Sequence, residues 1–261
     1  MDSKSLRASF CASGSPENPA IVFLHGIRLG RHIWDEHVRV LADRFQVLTL
    51  DLPGHGALLD FALTQETADR QLRYIIEDVL QRPPVIVAYS LGGYIAMSFI
   101  QQHPAHTSGL VLAGATIDVT GWKQTLYEVM LAAAFTIDRG TFMRLLSNLL
   151  FCTLPREVAQ TIISTPFNHD VFAQSRSMIS GVRFSEKLCG YPHPGLFLTG
   201  QFDVVFRPEQ ARFARACGAQ SRVIKWTDHV FPLRRPYQFS QLVADFCLGT
   251  PNALGHSVRT L

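Results

Sequence analysis

The chain alternates short, unbroken apolar runs with longer stretches whose apolar residues recur every three or four positions. The runs at 20–24 (AIVFL), 45–50, 85–88, 110–113, 195–200 and 222–226 are of strand length and carry few charges. That is the mark of strands covered on both faces. Between them, 34–43, 65–80, 94–102, 208–217 and 236–248 keep helical spacing. Within 65–80, Leu72, Ile75, Ile76 and Val79 share one face, and Pro208 and Pro236 stand at helix starts. Weak alternation over 5–12 predicts an edge strand, and 14–19 (GSPENP) a turn. The β–α rhythm predicts an α/β fold, a mostly parallel sheet covered by helices on both faces.

Between 117 and 185 that rhythm breaks. Residues 126–137 and 141–150 read as apolar helices, and a third starts at Pro155. Leu126, Met130 and Ala133 make one stripe, and Phe142, Leu145, Leu146 and Leu149 make another on the next helix. Leu131 and Phe135 render the first helix apolar on a second face as well, which calls for a second cover. These helices either close over the sheet or cap a site. The chain is thus expected to be a single domain, with a core of 1–116 and 186–248, a helical insertion of 117–185 and a loose tail of 249–261.

Composition narrows the function classes. An apolar share of 47% against 17% charge excludes a disordered chain. The 24 Lys and Arg are scattered, with a net charge of only +3, which argues against a nucleic-acid partner. Cys11, Cys152, Cys189, Cys217 and Cys247 include no C-x-x-C pair, so buried thiols in a reducing compartment are expected rather than disulfides or a zinc site. No apolar run reaches the ~18 residues of a membrane span and the first residues lack a signal-like apolar region; the expected location is cytoplasmic. The absence of GxGxxG, P-loop, HExxH and metal-ligand spacings leaves no cofactor and no metal implied.

The chemistry centres on Ala88-Tyr89-Ser90-Leu91-Gly92. A strand ends on a lone serine and a helix begins at once, so the hydroxyl stands clear of the sheet beside free helix N-terminal amides. A nucleophile beside a forming oxyanion needs that arrangement. A serine that only caps the helix is the plainer alternative. The spacing small-x-Ser-x-Gly resembles the nucleophile elbow of the α/β-hydrolase family, with Ala88 where glycine is usual.

The resemblance runs through most of the chain and implies roles residue by residue. In that family the triad runs Ser, acid, His along the chain. Of the histidines after Ser90, only His229 follows the last strand directly, in WTDHVFP, and it takes the place of the base. Asp203, in GQFDVV after the preceding strand, takes the place of the acid, with Asp118 as its rival and an Asx-turn as its structural alternative. His25-Gly26-Ile27 takes the place of the oxyanion loop, so the amides of Ile27 and Leu91 would hold the oxyanion, while His25, Asp51 and His55 are given no chemistry. Residues 117–185 resemble the helical cap that the family inserts after its sixth strand, which puts Trp122, Met130 and Phe135 near substrate. Arg28 and Arg31, just past the oxyanion loop, either recruit a carboxylate-bearing substrate or are solvated surface arginines, the plainer alternative. The implied function is a serine hydrolase acting on carboxylic esters of short to medium apolar acyl groups, its partner a small-molecule ester. Alternatives with the same triad are C–C hydrolysis, lactone opening, perhydrolysis and pyruvate elimination; a non-catalytic receptor on the same fold is the alternative from another class.

Overall fold

The computed structural model describes residues 1–139 and 154–249, apart from the side chains of Met130 and of residues 133–139. Seven strands form one sheet in the order β1-β3-β2-β4-β5-β6-β7. They are β1 Phe10–Ser13, β2 Ala20–Leu24, β3 Gln46–Leu50, β4 Val85–Tyr89, β5 Gly109–Ala113, β6 Gly195–Gly200 and β7 Gln220–Ile224. All neighbours run parallel except the edge strand β1, which pairs antiparallel with β3.

The unbroken apolar runs have the cause expected of them. In β2, Val22 and Leu24 join one buried cluster while Ile21 and Phe23 join the other. In β4, Ile86 and Ala88 face the first cluster, Val87 and Tyr89 the second. Successive side chains leave a strand on opposite faces, so a strand covered on both sides reads as a near-continuous apolar run. Each fully buried Val, Leu, Ile or Phe contributes about 1.5–3 kcal/mol. The outermost strand β7 carries exposed Gln220, Ser221 and Val223, and the sheet stops there.

Several boundaries differ from expectation for local reasons. Of the edge strand expected over 5–12 only the end is strand, as β1, while Ser3–Ala8 is a helix; the Asp2 carboxylate accepts from the Ser5 amide and starts that helix. Helix Gln65–Arg73 opens on a reciprocal cap between Thr64 and Thr67 and continues through Tyr74–Leu80 as a wider π-helix. Between β5, the fifth of the seven strands, and β6 the described residues form the helices Trp122–Arg139, Arg156–Ser164, Val171–Ile179 and Phe184–Lys187. The helix expected over 141–150 lies outside the described residues, as do Cys152 and the tail from 250 onward. Cys11 and Cys189 are exposed, which corrects the expectation of buried thiols; both stand on solvent-facing turns of the backbone or edge of the sheet rather than in either cluster. Among the described residues no helix is long and apolar enough to cross a membrane.

His37 is a buried polar residue that the fold must satisfy. Its ring lies edge-on to Trp34 and Phe239, and Nε2 donates to the Pro232 carbonyl at 3.1 Å. Burial pulls its pKa down to about 4, with the bond to Pro232 opposing, against 6.5 in the open chain. Between those values the unfolded chain holds a proton that the fold excludes, so stability falls as pH drops from about 6.5 to about 4. In His37→Leu, urea titrations across this window are expected to show an acid slope shallower by about 1.4 kcal/mol per pH unit; an unchanged slope would show that His37 is protonated in the fold.

Candidate active site

Strand order places the chemistry. The chain passes from β2 outward to β3, then crosses back to β4 on the other side of β2. At such a reversal the loops leaving the two strands part and leave a crevice at their carboxyl ends. Leu24 is in register with Ala88, so the turns carrying Ile27 and Ser90 emerge side by side. Tyr89 is in register with Ala113, and Ala113 with Leu198, which brings the exits of β5 and β6 to the same edge.

Ser90 sits at φ 51°, ψ −116°, a strained conformation for a residue with a Cβ. Two close approaches hold it there. A Cβ on Gly92 would lie 2.8 Å from the carbonyl oxygens of Leu24 and His25, and one on Gly93 2.3 Å from Ala115 Cβ. Without those glycines, helix Leu91–Gln102 cannot press against the ends of β2 and β5. The amides of Gly92 and Gly93 are bonded to His25 and Ser90 carbonyls, whereas those of Ile27 and Leu91 have no hydrogen-bond partner among the described residues.

His229 Nε2 lies 3.3 Å from Ser90 Oγ, and Nδ1 donates to Asp203 Oδ2 at 2.9 Å. These residues are 139 and 26 positions apart in sequence. The imidazole stacks on Phe206 at 4.9 Å and tilts against Tyr89 at 5.2 Å. Asp203 is buried, and its other oxygen accepts from the Phe206 amide at 3.0 Å. One carboxylate oxygen of Asp203 thus closes its own turn, and the other meets the His229 ring.

The rival carboxylate is engaged elsewhere. Asp118 accepts from the amide and hydroxyl of Ser185 at 2.8 and 2.7 Å and from Arg212 at 2.7 Å. Burial works to raise its pKa, but these donors outweigh burial and lower it. Asp228, next to His229, turns to Arg234. His25 and His55 serve the backbone. His25 Nε2 accepts from the Leu52 amide and His55 Nε2 from the Arg28 amide, while each Nδ1 donates to a carbonyl, Gly26 or Pro53. Burial holds the two rings neutral, near about 4 and about 3.

A family model described as the alpha/beta hydrolase family matches residues 21–242, spanning every strand but the edge strand β1. The chain belongs to the alpha/beta hydrolase family. It is 36% identical over 109 residues to the pimeloyl-[acyl-carrier protein] methyl ester esterase of Nitrosomonas europaea, a match covering 42% of each chain. It is also 36% identical over 109 residues to the 2-succinyl-6-hydroxy-2,4-cyclohexadiene-1-carboxylate synthase of Klebsiella pneumoniae, covering 39% of this chain and 40% of that one. The chain therefore spans about two fifths of these relatives' length. A thermophilic esterase from Thermogutta terrifontis, solved with malate bound, matches with a TM-score of 0.73 and 22% identity, over 92% of this chain and 93% of its own.

The remaining expected residues of this α/β-hydrolase are dispersed. Arg28 is half-buried beside the Ile27 turn, its guanidinium 5.9 Å over the Phe167 ring. Arg31 is tied to the Ala8 carbonyl and to Asp51. Trp122 stands 72% exposed on the first turn of its helix, where Tyr127 and Leu131 are the buried positions among the described side chains. Met130 and Phe135 have side chains outside the described residues. One residue was missed altogether. Gly114 follows β5 at φ +58°, and a Cβ there would lie 2.7 Å from His229 Nδ1 and Cε1. A glycine at a strand exit was the available signal. In Gly114→Ala, left-handed strain of about 1–2 kcal/mol adds to displacement of the imidazole. Turnover of any substrate that uses His229 is expected to fall by about a hundredfold, measured as kcat beside the melting temperature; parent-level kcat would mean the ring position is not critical.

Proposed function

We propose that this chain is a serine hydrolase that cleaves carboxylic esters of short to medium apolar acyl groups through an acyl-enzyme. The chain of contacts from Ser90 Oγ through the His229 ring to Asp203 carries the reading. A serine hydroxyl is a poor nucleophile until a base takes its proton and a third group orients that base.

In the first half-reaction Ser90 Oγ bonds to the ester carbonyl carbon while His229 Nε2 takes its proton. The carbonyl electrons move onto oxygen, held by the amides of Ile27 and Leu91, each such donor being worth about a hundredfold or more. Asp203 stays ionised and steadies the imidazolium through Nδ1–H. Collapse breaks the bond to the alkoxy oxygen, which leaves as the alcohol with the proton from His229. Water, giving its proton to His229, then attacks the acyl carbon, and the acid departs as Ser90 is restored. The apolar preference is supported by Leu91, Ile117, Val119, Tyr127, Leu131 and Phe206, which share one buried cluster. In this reading 117–185 is a cap on a core of 1–116 and 186–248.

One partial relative is a synthase rather than an esterase, so a reaction other than ester hydrolysis by the same triad is the second reading. Short-chain p-nitrophenyl esters and a fluorophosphonate probe decide. The parent is expected to hydrolyse the esters and to be labelled at Ser90, and Ser90→Ala to lose both, with turnover down about a millionfold. Labelling without ester turnover would favour the second reading, and absence of both a non-catalytic receptor.

The two carboxylates separate in the same assay. Asp203→Asn leaves His229 poorly oriented and is expected to cost about a thousandfold or more in kcat. Asp118→Asn is expected to keep kcat within a few-fold and instead lower stability by about 1–3 kcal/mol, through its bonds to Ser185 and Arg212. If Asp118→Asn is the crippling substitution, the acid lies after β5.

A further inference from the structure

Tyr94 is one helical turn beyond Ser90 on helix Leu91–Gln102. Its side chain is 2% exposed, and its hydroxyl has no hydrogen-bond partner among the described residues. A buried phenol ordinarily finds one, because an unpaired hydroxyl in an apolar setting costs on the order of 1–3 kcal/mol. The ring packs edge-on against Phe184 at 4.6 Å and against Tyr127 of helix Trp122–Arg139 at 6.3 Å. It therefore lies in the seam between the nucleophile's helix and the helical insertion. Side chains on an α-helix lean toward its N-terminus, so a residue one turn in covers the turn that begins at Ser90.

The surroundings define what such a hydroxyl can do. Burial first, then the Tyr127 phenol and the carboxylates of Asp118 and Asp203, keep it far above the usual phenol range, so it stays a proton donor. So apolar and buried a setting also penalises bringing a further charge beside it. An uncharged oxygen acceptor is the partner that satisfies both conditions. The wall on either side is apolar and aromatic, with Tyr127, Phe184 and Leu131 in the same buried cluster, so the acceptor must arrive on an otherwise apolar chain.

We propose that the Tyr94 hydroxyl selects acyl groups that carry an uncharged oxygen, a ketone or ester carbonyl, a few carbons beyond the scissile carbonyl. This rests on the ester-hydrolase reading and makes its substrate class narrower than simple fatty acyl esters. Tyr94 takes no part in bond making; it fixes specificity.

Tyr94→Phe removes the hydroxyl and nothing else. The test pairs p-nitrophenyl 4-oxopentanoate with p-nitrophenyl pentanoate, which differ by one carbonyl, and adds the p-nitrophenyl monoester of succinic acid as the anionic arm. The parent is expected to prefer the oxo ester about tenfold in kcat/KM, one good hydrogen bond's worth. In Tyr94→Phe that preference should vanish through a loss on the oxo ester alone, with the pentanoate rate within twofold. The anionic ester should be the poorest of the three. A binding arm separates this inference from the catalytic one. In Ser90→Ala, methyl 4-oxopentanoate should raise the melting temperature more than methyl pentanoate, and adding Tyr94→Phe should erase the difference. Equal effects of Tyr94→Phe on both esters, no effect on either, or equal binding of the two methyl esters would overturn the inference and leave a buried water or simple packing as the role of the hydroxyl. If the parent hydrolyses neither ester but the binding difference holds, the hydrolase reading fails and the recognition site stands.

Discussion

The register of β2 on β4 is the constraint on which the rest of the structure depends, because it sets two turns beside each other that are more than sixty residues apart. Leu24 opposite Ala88 fixes where the HGI turn and the serine turn emerge. That register is held by apolar side chains on both faces of each strand, and a slip of one residue would exchange the faces of every side chain at once. The exits of β5, β6 and β7 inherit the same frame, which is why groups 26 and 139 positions apart meet at one imidazole. The reversal of strand order then supplies the crevice in which they meet.

Within that frame, burial divides like residues into unlike roles. His25 and His55 are sealed in, neutral, and hold the amides of Leu52 and Arg28, so they shape the turn around Ile27. His229 keeps about a third of its side chain in solvent and carries a carboxylate on one nitrogen and a hydroxyl on the other. The carboxylates divide in the same way. Asp118 is saturated by Ser185 and Arg212 and ties the segment after β5 to helix Arg207–Ala216. Asp203 spends one oxygen on its own turn and has one left for the imidazole. Gly114 is the reciprocal of this arrangement: the space His229 occupies is space that a side chain there would fill.

Strand and helix types were legible in the sequence because they follow from local pattern. An unbroken apolar run such as AIVFL between turn residues reads as a strand with two covered faces, and the lone serine between such a run and a helix marked a sharp strand-to-helix turn even with Ala88 before it. The order of Ser90, Asp203 and His229 was legible as well, since each lies directly after a strand that pattern alone identifies. The first residues were misjudged because one capping carboxylate, Asp2, outweighs a weak alternation over 5–12.

What the sequence by itself determined is the rhythm of elements and the types of group at their ends, since propensity, periodicity and capping act over a few residues. Which groups touch was decided only by tertiary structure. No local pattern separates Asp118 from Asp203, because their difference is a matter of which donors lie across the fold: Ser185 and Arg212 for one, His229 for the other. Nor does any local pattern expose Tyr94, whose place in an apolar helical run reads as core until the fold withholds a partner from its hydroxyl. Hydrogen bonds and close approach act over about 3 Å, and distances that short between residues far apart in sequence exist only once the chain has packed.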